Sequence, residues 1–306
     1  MSTRILPPLP TGLVDFGNRG FRTSNPVARA LLERRAAAFL LGYNTLRRNG
    51  IEELANRLDG CPLDDLGFAY EGAAFAAAAH DLLRPGRGSP LLDAMFALAG
   101  DRYPHLMHVG AGWVGLVARP SLVLRKARLD PLLRWLTLDG AGFSRAFLRG
   151  KRWNARFTRA AWSAEPAHTV LHQGVGRAMW FMECADPAAI RRRIAEFPPQ
   201  AHAELWSGVG LAVCYAGGAD EALDDLPRSP AEPVASPGSG LRGGARRAGH
   251  VPAHTATGVR ELAGVSVTEA VEWTVVAAHE VSAGDLDIAA YRQWQHLIRD
   301  RAARHV

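Results

Sequence analysis

The chain has 306 residues, 48% of them hydrophobic and 22% charged, which are the proportions of a folded globular protein and exclude disordered and fibrous classes. The formal net charge is +6, and the basic side chains are almost all arginine, with only Lys126 and Lys151 as lysines. No apolar run reaches the roughly 18 residues of a membrane span, and Cys61, Cys184 and Cys214 stand in no metal-binding or disulfide spacing.

Residues 1–24 read as an N-terminal extension. Met1 to Gly12 carries one arginine and three prolines but no apolar core, so no signal peptide is expected and a cytoplasmic location is. Helix starts are then marked by Asn25-Pro26, Ser89-Pro90, Asp130-Pro131 and Asp186-Pro187. Proline at the first helical position loses no hydrogen bond, and the residue before it accepts an orphan backbone N–H. Gly50, Gly100 and Gly217-Gly218 mark stops, where glycine takes the left-handed cap. In chain order the pattern predicts helices over 26–48, 51–58, 63–83, 90–99, 102–118, 131–149, 168–184, 187–197, 200–216, 256–264, 267–280 and 285–304. The one short strand expected is Ser121 to Lys126.

The helical body spans 25–226. Residues 227–252, dense in Pro, Gly and Ser, read as a flexible insertion. Residues 253–306 read as C-terminal helices packing on the body. The fold class expected is all-α, a single globular domain of pseudo-repeated glycine-containing helical hairpins.

A short pattern recurs at Glu71-Gly72-Ala73-Ala74-Phe75, Val109-Gly110-Ala111-Gly112-Trp113, Asp139-Gly140-Ala141-Gly142-Phe143, Gln173-Gly174-Val175-Gly176-Arg177 and Ser207-Gly208-Val209-Gly210-Leu211. Its leading glycines are 38, 30, 34 and 34 residues apart, the spacing of stacked helical units. Each glycine inside a helix costs roughly 0.5–1 kcal/mol relative to alanine. Two readings justify that cost: close packing of helix on helix, or bare backbone that makes room for a ligand. The position before the first glycine is polar in four copies, as Glu71, Asp139, Gln173 and Ser207. A turn or two beyond it come large side chains, Phe75, Trp113, Phe143, Trp180 and Tyr215. Buried polar groups need partners, and Arg177, His108 and His172 are the candidates. The polar set expected to act on a substrate is Glu71, His108, Asp139, Gln173 and Arg177. Trp113, Phe143, Trp180, Trp206, Ser207 and Tyr215 are expected to contact it. Glu71 or Asp139 would serve as general acid or base if burial raises the pKa.

Other motifs carry less. Gly110-Ala111-Gly112-Trp113-Val114-Gly115 matches the dinucleotide fingerprint, but Tyr103 to Val109 is a poor strand and Asp130 is better explained as a helix cap. His250 and His254 are separated by Pro252, and no third ligand is apparent, so no metal is expected. His105 and His108 share a helix face, with ordinary hydrogen-bonded roles as the default. Arg191 to Arg193 and Arg152, Arg156 and Arg159 form basic faces beside Trp153 and Phe157. Nucleic-acid binding would want a concentrated stripe and is not expected; docking to an acidic carrier protein is a comparable alternative for the same patches.

Several segments together resemble the UnbL-type proteins, a bacterial family of unknown function encoded in enediyne antibiotic clusters. They are Gly42-Tyr43-Asn44, Tyr70-Glu71-Gly72-Ala73-Ala74, His108 to Trp113, Leu129 to Trp135, Gln173 to Arg177, Trp180-Phe181, Leu205 to Gly210, Tyr215 to Gly218 and His254-Thr255. The likeness runs from about residue 15 to 300. It implies a part in maturing the enediyne core, with a linear polyene or its carrier-bound form as ligand and an acidic carrier protein or other pathway proteins as partners. The protein would be a cofactor-independent polyene-modifying enzyme or an essential partner of one. The alternatives are a helical scaffold without chemistry and a terpene-cyclase-like enzyme, which the lack of an aspartate-rich motif weakens.

Overall fold

The computed structural model describes residues 5–100, 102–116, 118–150, 165–219, 223, 225–226 and 251–305. Residues 227–250 of the predicted 227–252 insertion, His250 among them, and the Arg152 to Arg159 face with Trp153 and Phe157 lie outside them. The described residues are all-α, in one domain without a strand. The helices are α1 (Pro26–Asn49), α2 (Leu54–Leu58), α3 (Leu63–Leu83), α4 (Pro90–Ala99), α5 (Pro104–Gly112), α6 (Ser121–Lys126), α7 (Leu136–Arg149), α8 (Pro166–Met182), α9 (Pro187–Ala195), α10 (Pro199–Ala216), α11 (Ala253–Ala263), α12 (Val267–Val281) and α13 (Ile288–Ala302).

Local chemistry sets most boundaries. Asn25 accepts from the Ala28 N–H at 2.9 Å, and Asp186 from that of Ala189 at 2.9 Å. Asp130 accepts from Leu132 and Leu133 at 2.9 and 2.8 Å, and opens a 3-10 turn, Leu133–Trp135, that leads into α7. Gly50, Gly100 and Gly217 close α1, α4 and α10 with φ of 79°, 56° and 75°. Ser89 makes no capping bond. Asp81, near the end of α3, instead accepts from Leu91 and Leu92 at 3.0 Å each, which fastens α4 to α3.

Ser121–Lys126 is helix α6 and not the expected strand. No neighbouring strand offers it a ladder, so a helical turn satisfies its backbone locally. Lys126 at its end donates to the carbonyls of Asp81 and Arg84 at 3.0 and 3.2 Å.

Helices α1, α3, α5, α7, α8 and α10 pack each on the next, and α10 also touches α1. The crossings are made at glycine. A Cβ on Gly72 would stand 1.9 Å from the Phe39 carbonyl oxygen, and one on Gly110 2.1 Å from that of Glu71. For Gly140, Gly174 and Gly208 the oxygens belong to Val109, Asp139 and Gln173, at 1.9, 1.8 and 1.9 Å. The second glycines take the helix on the other side. Gly42, Gly112, Gly142 and Gly176 face the carbonyls of Ala69, Thr137, Leu171 and Leu205 at 1.7, 2.1, 2.0 and 2.0 Å. No side chain fits, and backbones this close place Cα–H groups against carbonyl oxygens. Of the two readings of the glycines, close helix packing holds. The space they leave is filled by neighbouring backbone and is not room for a ligand.

The N-terminal extension is strapped to α1. Tyr43 donates to Pro7 O at 3.1 Å, Arg47 to Leu6 O at 2.7 Å, and the Asn44 amide pairs both ways with Leu9 at 3.2 and 3.0 Å. Helix α13 buries Tyr291, Trp294 and Ile298 against Val109, Leu133, Leu136 and Val170, which docks the C-terminal helices on the body. No helix of the described residues is long and apolar enough to cross a membrane.

Candidate functional site

The glycine crossings put the neighbours of each glycine into register. The residue four places after the polar position lies one turn on along the same helix. In α3, the 3-10 turn after α5, α7 and α8 these residues are Phe75, Trp113, Phe143 and Arg177, and in space they follow one another. Phe75 and Trp113 have ring centroids 5.9 Å apart, Trp113 and Phe143 5.3 Å, and the Arg177 guanidinium lies 4.8 Å over the Phe143 ring. Phe39 from α1 joins at 4.2 Å from Trp113, and Phe181 meets Phe143 edge-on at 5.5 Å.

These rings line a narrow pocket of about 70 Å³. Phe68 and Phe147 complete the aromatic wall, and Leu9, Leu13 and Val14 of the N-terminal extension lie across it. Three polar side chains face it: Arg35, Glu71 and Arg177. Narrow apolar walls with a few convergent polar groups are the form of a small-molecule site.

The polar groups are arranged in a repeating way. Glu71 accepts from Trp113 Nε1 of the next helical unit at 3.1 Å. Asp139 accepts from Arg177 Nε and Nη2 of its next unit at 2.9 and 2.5 Å. Each pair joins the position before the first glycine to the position one turn beyond the following one. Burial pushes the Glu71 carboxyl up to about 7, opposed by the Arg177 charge and the Trp113 hydrogen bond. Burial alone would lower the Arg177 pKa, but Asp139 and Glu71 outweigh it and hold the guanidinium charged. Asp139 is pushed up by burial and held down by Arg177. The Asp139–Arg177 ion pair thus stands beside a carboxyl, Glu71, that burial pushes up to about 7.

Behind Arg177 lies a second, smaller cavity of about 30 Å³, lined by Asp139, Arg177, Tyr215 and His105 among apolar side chains. Arg177 thus stands in the wall between the two spaces.

The remaining sequence-predicted residues are placed elsewhere. Gln173 bonds Gln295 of α13 at 2.7 Å, and Ser207 accepts from Arg299 at 3.1 Å. Arg299 and Arg292 also bind Glu204 at 2.7 Å each, and although burial opposes it they hold that carboxylate low. These groups form a strut that fixes α13 to α8 and α10. His108 has Nδ1 2.6 Å from Pro104 O, accepts at Nε2 from the Asp130 N–H at 3.2 Å, and packs on Phe96. Burial lowers its pKa to about 4, so it is a neutral brace between α5 and the start of α7. Trp180 donates to Gly217 O at 2.9 Å, and Trp206 lies under Arg191, both outside the pocket. Among the described residues no group of three His, Cys, Asp or Glu side chains is placed to hold a metal.

Compared with known proteins, the family model described as "Protein of unknown function (DUF1702)" matches residues 3–302. The chain belongs to the DUF1702 family. No curated protein and no solved structure matches it.

In this DUF1702 protein the wall residues that the sequence pattern missed include Arg35, Phe39, Phe68, Phe147 and Phe181. The last two carried a usable signal, because each stands eight residues after a polar position, Asp139 or Gln173, as Tyr215 does after Ser207. Trp180 is one residue before Phe181, about 100° round the helix. Phe39 was hidden because its helix has Leu40 where the other units have their first glycine, and only Gly42 remains. Nothing local marks Arg35.

Proposed function

We propose that this DUF1702 protein binds a linear, conjugated, apolar chain along its aromatic pocket and assists its conversion in enediyne-type polyketide biosynthesis, receiving it free or on a carrier protein. The observation that carries the reading is a buried carboxyl, Glu71, its pKa pushed up by desolvation, facing a largely apolar pocket walled by Phe39, Phe75, Trp113, Phe143, Phe147 and Phe181. Flat rings accept a flat conjugated ligand, and the net charge of +6 suits an acidic carrier. The enediyne setting comes from the likeness to the UnbL-type proteins.

A carboxyl near 7 is matched to proton transfer at neutral pH. Glu71 would deliver its proton to one chain carbon, forming a C–H bond. The positive charge would spread along the conjugated system under the faces of Trp113 and Phe143. A proton lost from another carbon would return to Glu71, moving double bonds with no net oxidation and no cofactor. Arg177 steadies Glu71 while it is ionised, and Asp139 holds Arg177 in place.

Co-expression with an enediyne-type polyketide synthase, followed by native mass spectrometry, tests this. The expected result is a polyene-mass adduct on both the wild type and Glu71→Gln, with conversion of the chain lost only in the variant. Full conversion by a folded Glu71→Gln protein would remove its acid–base role. A stable protein complex with no small molecule would favour the scaffold reading instead.

A further inference from the structure

Arg35 is fully buried on α1, and its guanidinium is incompletely satisfied. Its Nη1 bonds Asp65, and Nη2 stands 4.0 Å from Asp64 Oδ2, beyond hydrogen-bond range. Neither Nε nor Nη2 has an acceptor among the described residues. The carboxylate of Asp65 is also shared, since Arg34 Nε reaches its other oxygen at 3.1 Å. The Phe68 ring covers the guanidinium at 5.6 Å. Arg34 and Arg35 thus share Asp65, with Asp64 at the edge of ion-pair range, and burial lowers the Arg35 pKa by more than the two carboxylates restore. The other cation of the pocket is already balanced, because Arg177 is paired with Asp139. Among the described residues, the open N–H donors of the polar wall are therefore Nε and Nη2 of Arg35. A buried guanidinium with open N–H donors is a site for a planar anion, which it binds bidentately.

We propose that the pocket takes its chain as the free acid, with the carboxylate on Arg35 Nε and Nη2 and the conjugated tail along Phe39, Trp113 and Phe143. This rests on the apolar-chain reading above and narrows it. A carrier-bound chain ends in a neutral thioester and offers Arg35 no charge, whereas the free acid does. The reaction that must come before this protein is then hydrolysis of that thioester, in which water adds to the acyl carbon and the thiol leaves.

Three probes of nearly one shape test this by quenching of tryptophan fluorescence: all-trans-retinoic acid, its methyl ester and all-trans-retinol. The wild type is expected to bind the acid at least tenfold more tightly than the ester or the alcohol. Arg35→Gln is expected to lose that preference while still binding retinol. If Arg35→Gln does not fold, Arg35→Gln/Asp65→Asn removes both partners and keeps the pair neutral, and the same loss of preference is expected. Equal binding of all three probes by the wild type would overturn the carboxylate site and leave the apolar-chain reading standing. A preference for the acid that survives in the folded variant would also overturn it. No binding of any probe would overturn both.

Discussion

Replacing Gly174 by alanine is expected to destabilise the protein by about 3 kcal/mol or more, although alanine is the better helix former by about 1 kcal/mol. The new methyl carbon would lie 1.8 Å from the Asp139 carbonyl oxygen and 2.8 Å from the Phe143 backbone nitrogen. Backbone cannot swing aside as a side chain does, so α7 and α8 must separate and the rings of Phe143 and Phe181 lose their contact. Gly67 is the internal comparison. It also sits within a helix, but its methyl would meet only side chains, the tip of Leu106 at 2.7 Å and the edge of the Tyr103 ring at 3.2 Å, which can give way as backbone cannot. Gly67→Ala is expected to be near neutral. Urea unfolding of both variants checks the contrast, and equal effects would refute the account of the crossings.

Arg177→Met is expected to cost about 3–5 kcal/mol, the range found when one partner of a buried ion pair is removed. Asp139 would be left 1% exposed with no cation beside it, and its Oδ2 already lacks a hydrogen-bond partner among the described residues. The paired change Arg177→Met/Asp139→Leu removes both charges and is expected to recover more than half of the loss. Asp139→Asn should be milder than Arg177→Met, because Glu71 can ionise and serve as the counter-ion. Thermal unfolding of the three variants at pH 7 measures the order. A double variant no more stable than Arg177→Met would mean that the pair is not held together by charge.

Much of this was legible in local chemistry. Asn25, Asp130 and Asp186 cap the helices that they precede, because a cap needs only its own turn. The spacing of Gly72, Gly110, Gly140, Gly174 and Gly208 pointed to successive helices packed alike, and the polar positions before them are buried. What was hidden depends on phase and on long range. Gln173 and Ser207 occupy the same register as Glu71 and Asp139, yet α13 covers that end of the body and takes them into its strut. Trp180 differs from Phe181 by one residue of helical rotation, which proximity in sequence does not resolve. The wall formed by Leu9, Leu13 and Val14 follows from where α1 carries Tyr43, Asn44 and Arg47, groups that fasten the extension only once the helix is in place.

The central claim is that a carboxyl in an apolar, ring-lined pocket holds its proton from acid up to about pH 7. An infrared pH titration of the wild type minus Glu71→Gln isolates that one carboxyl. The folded value, about 7, is raised above the ordinary 4.5. The protonated stretch should therefore persist from acid up to neutral pH and vanish with a midpoint near 7. By linkage, the stability contributed by the neutral acid is complete below 4.5 and lost as the pH rises through 7, a loss absent in Glu71→Gln. A difference spectrum already fully carboxylate at pH 5.5 would contradict the account.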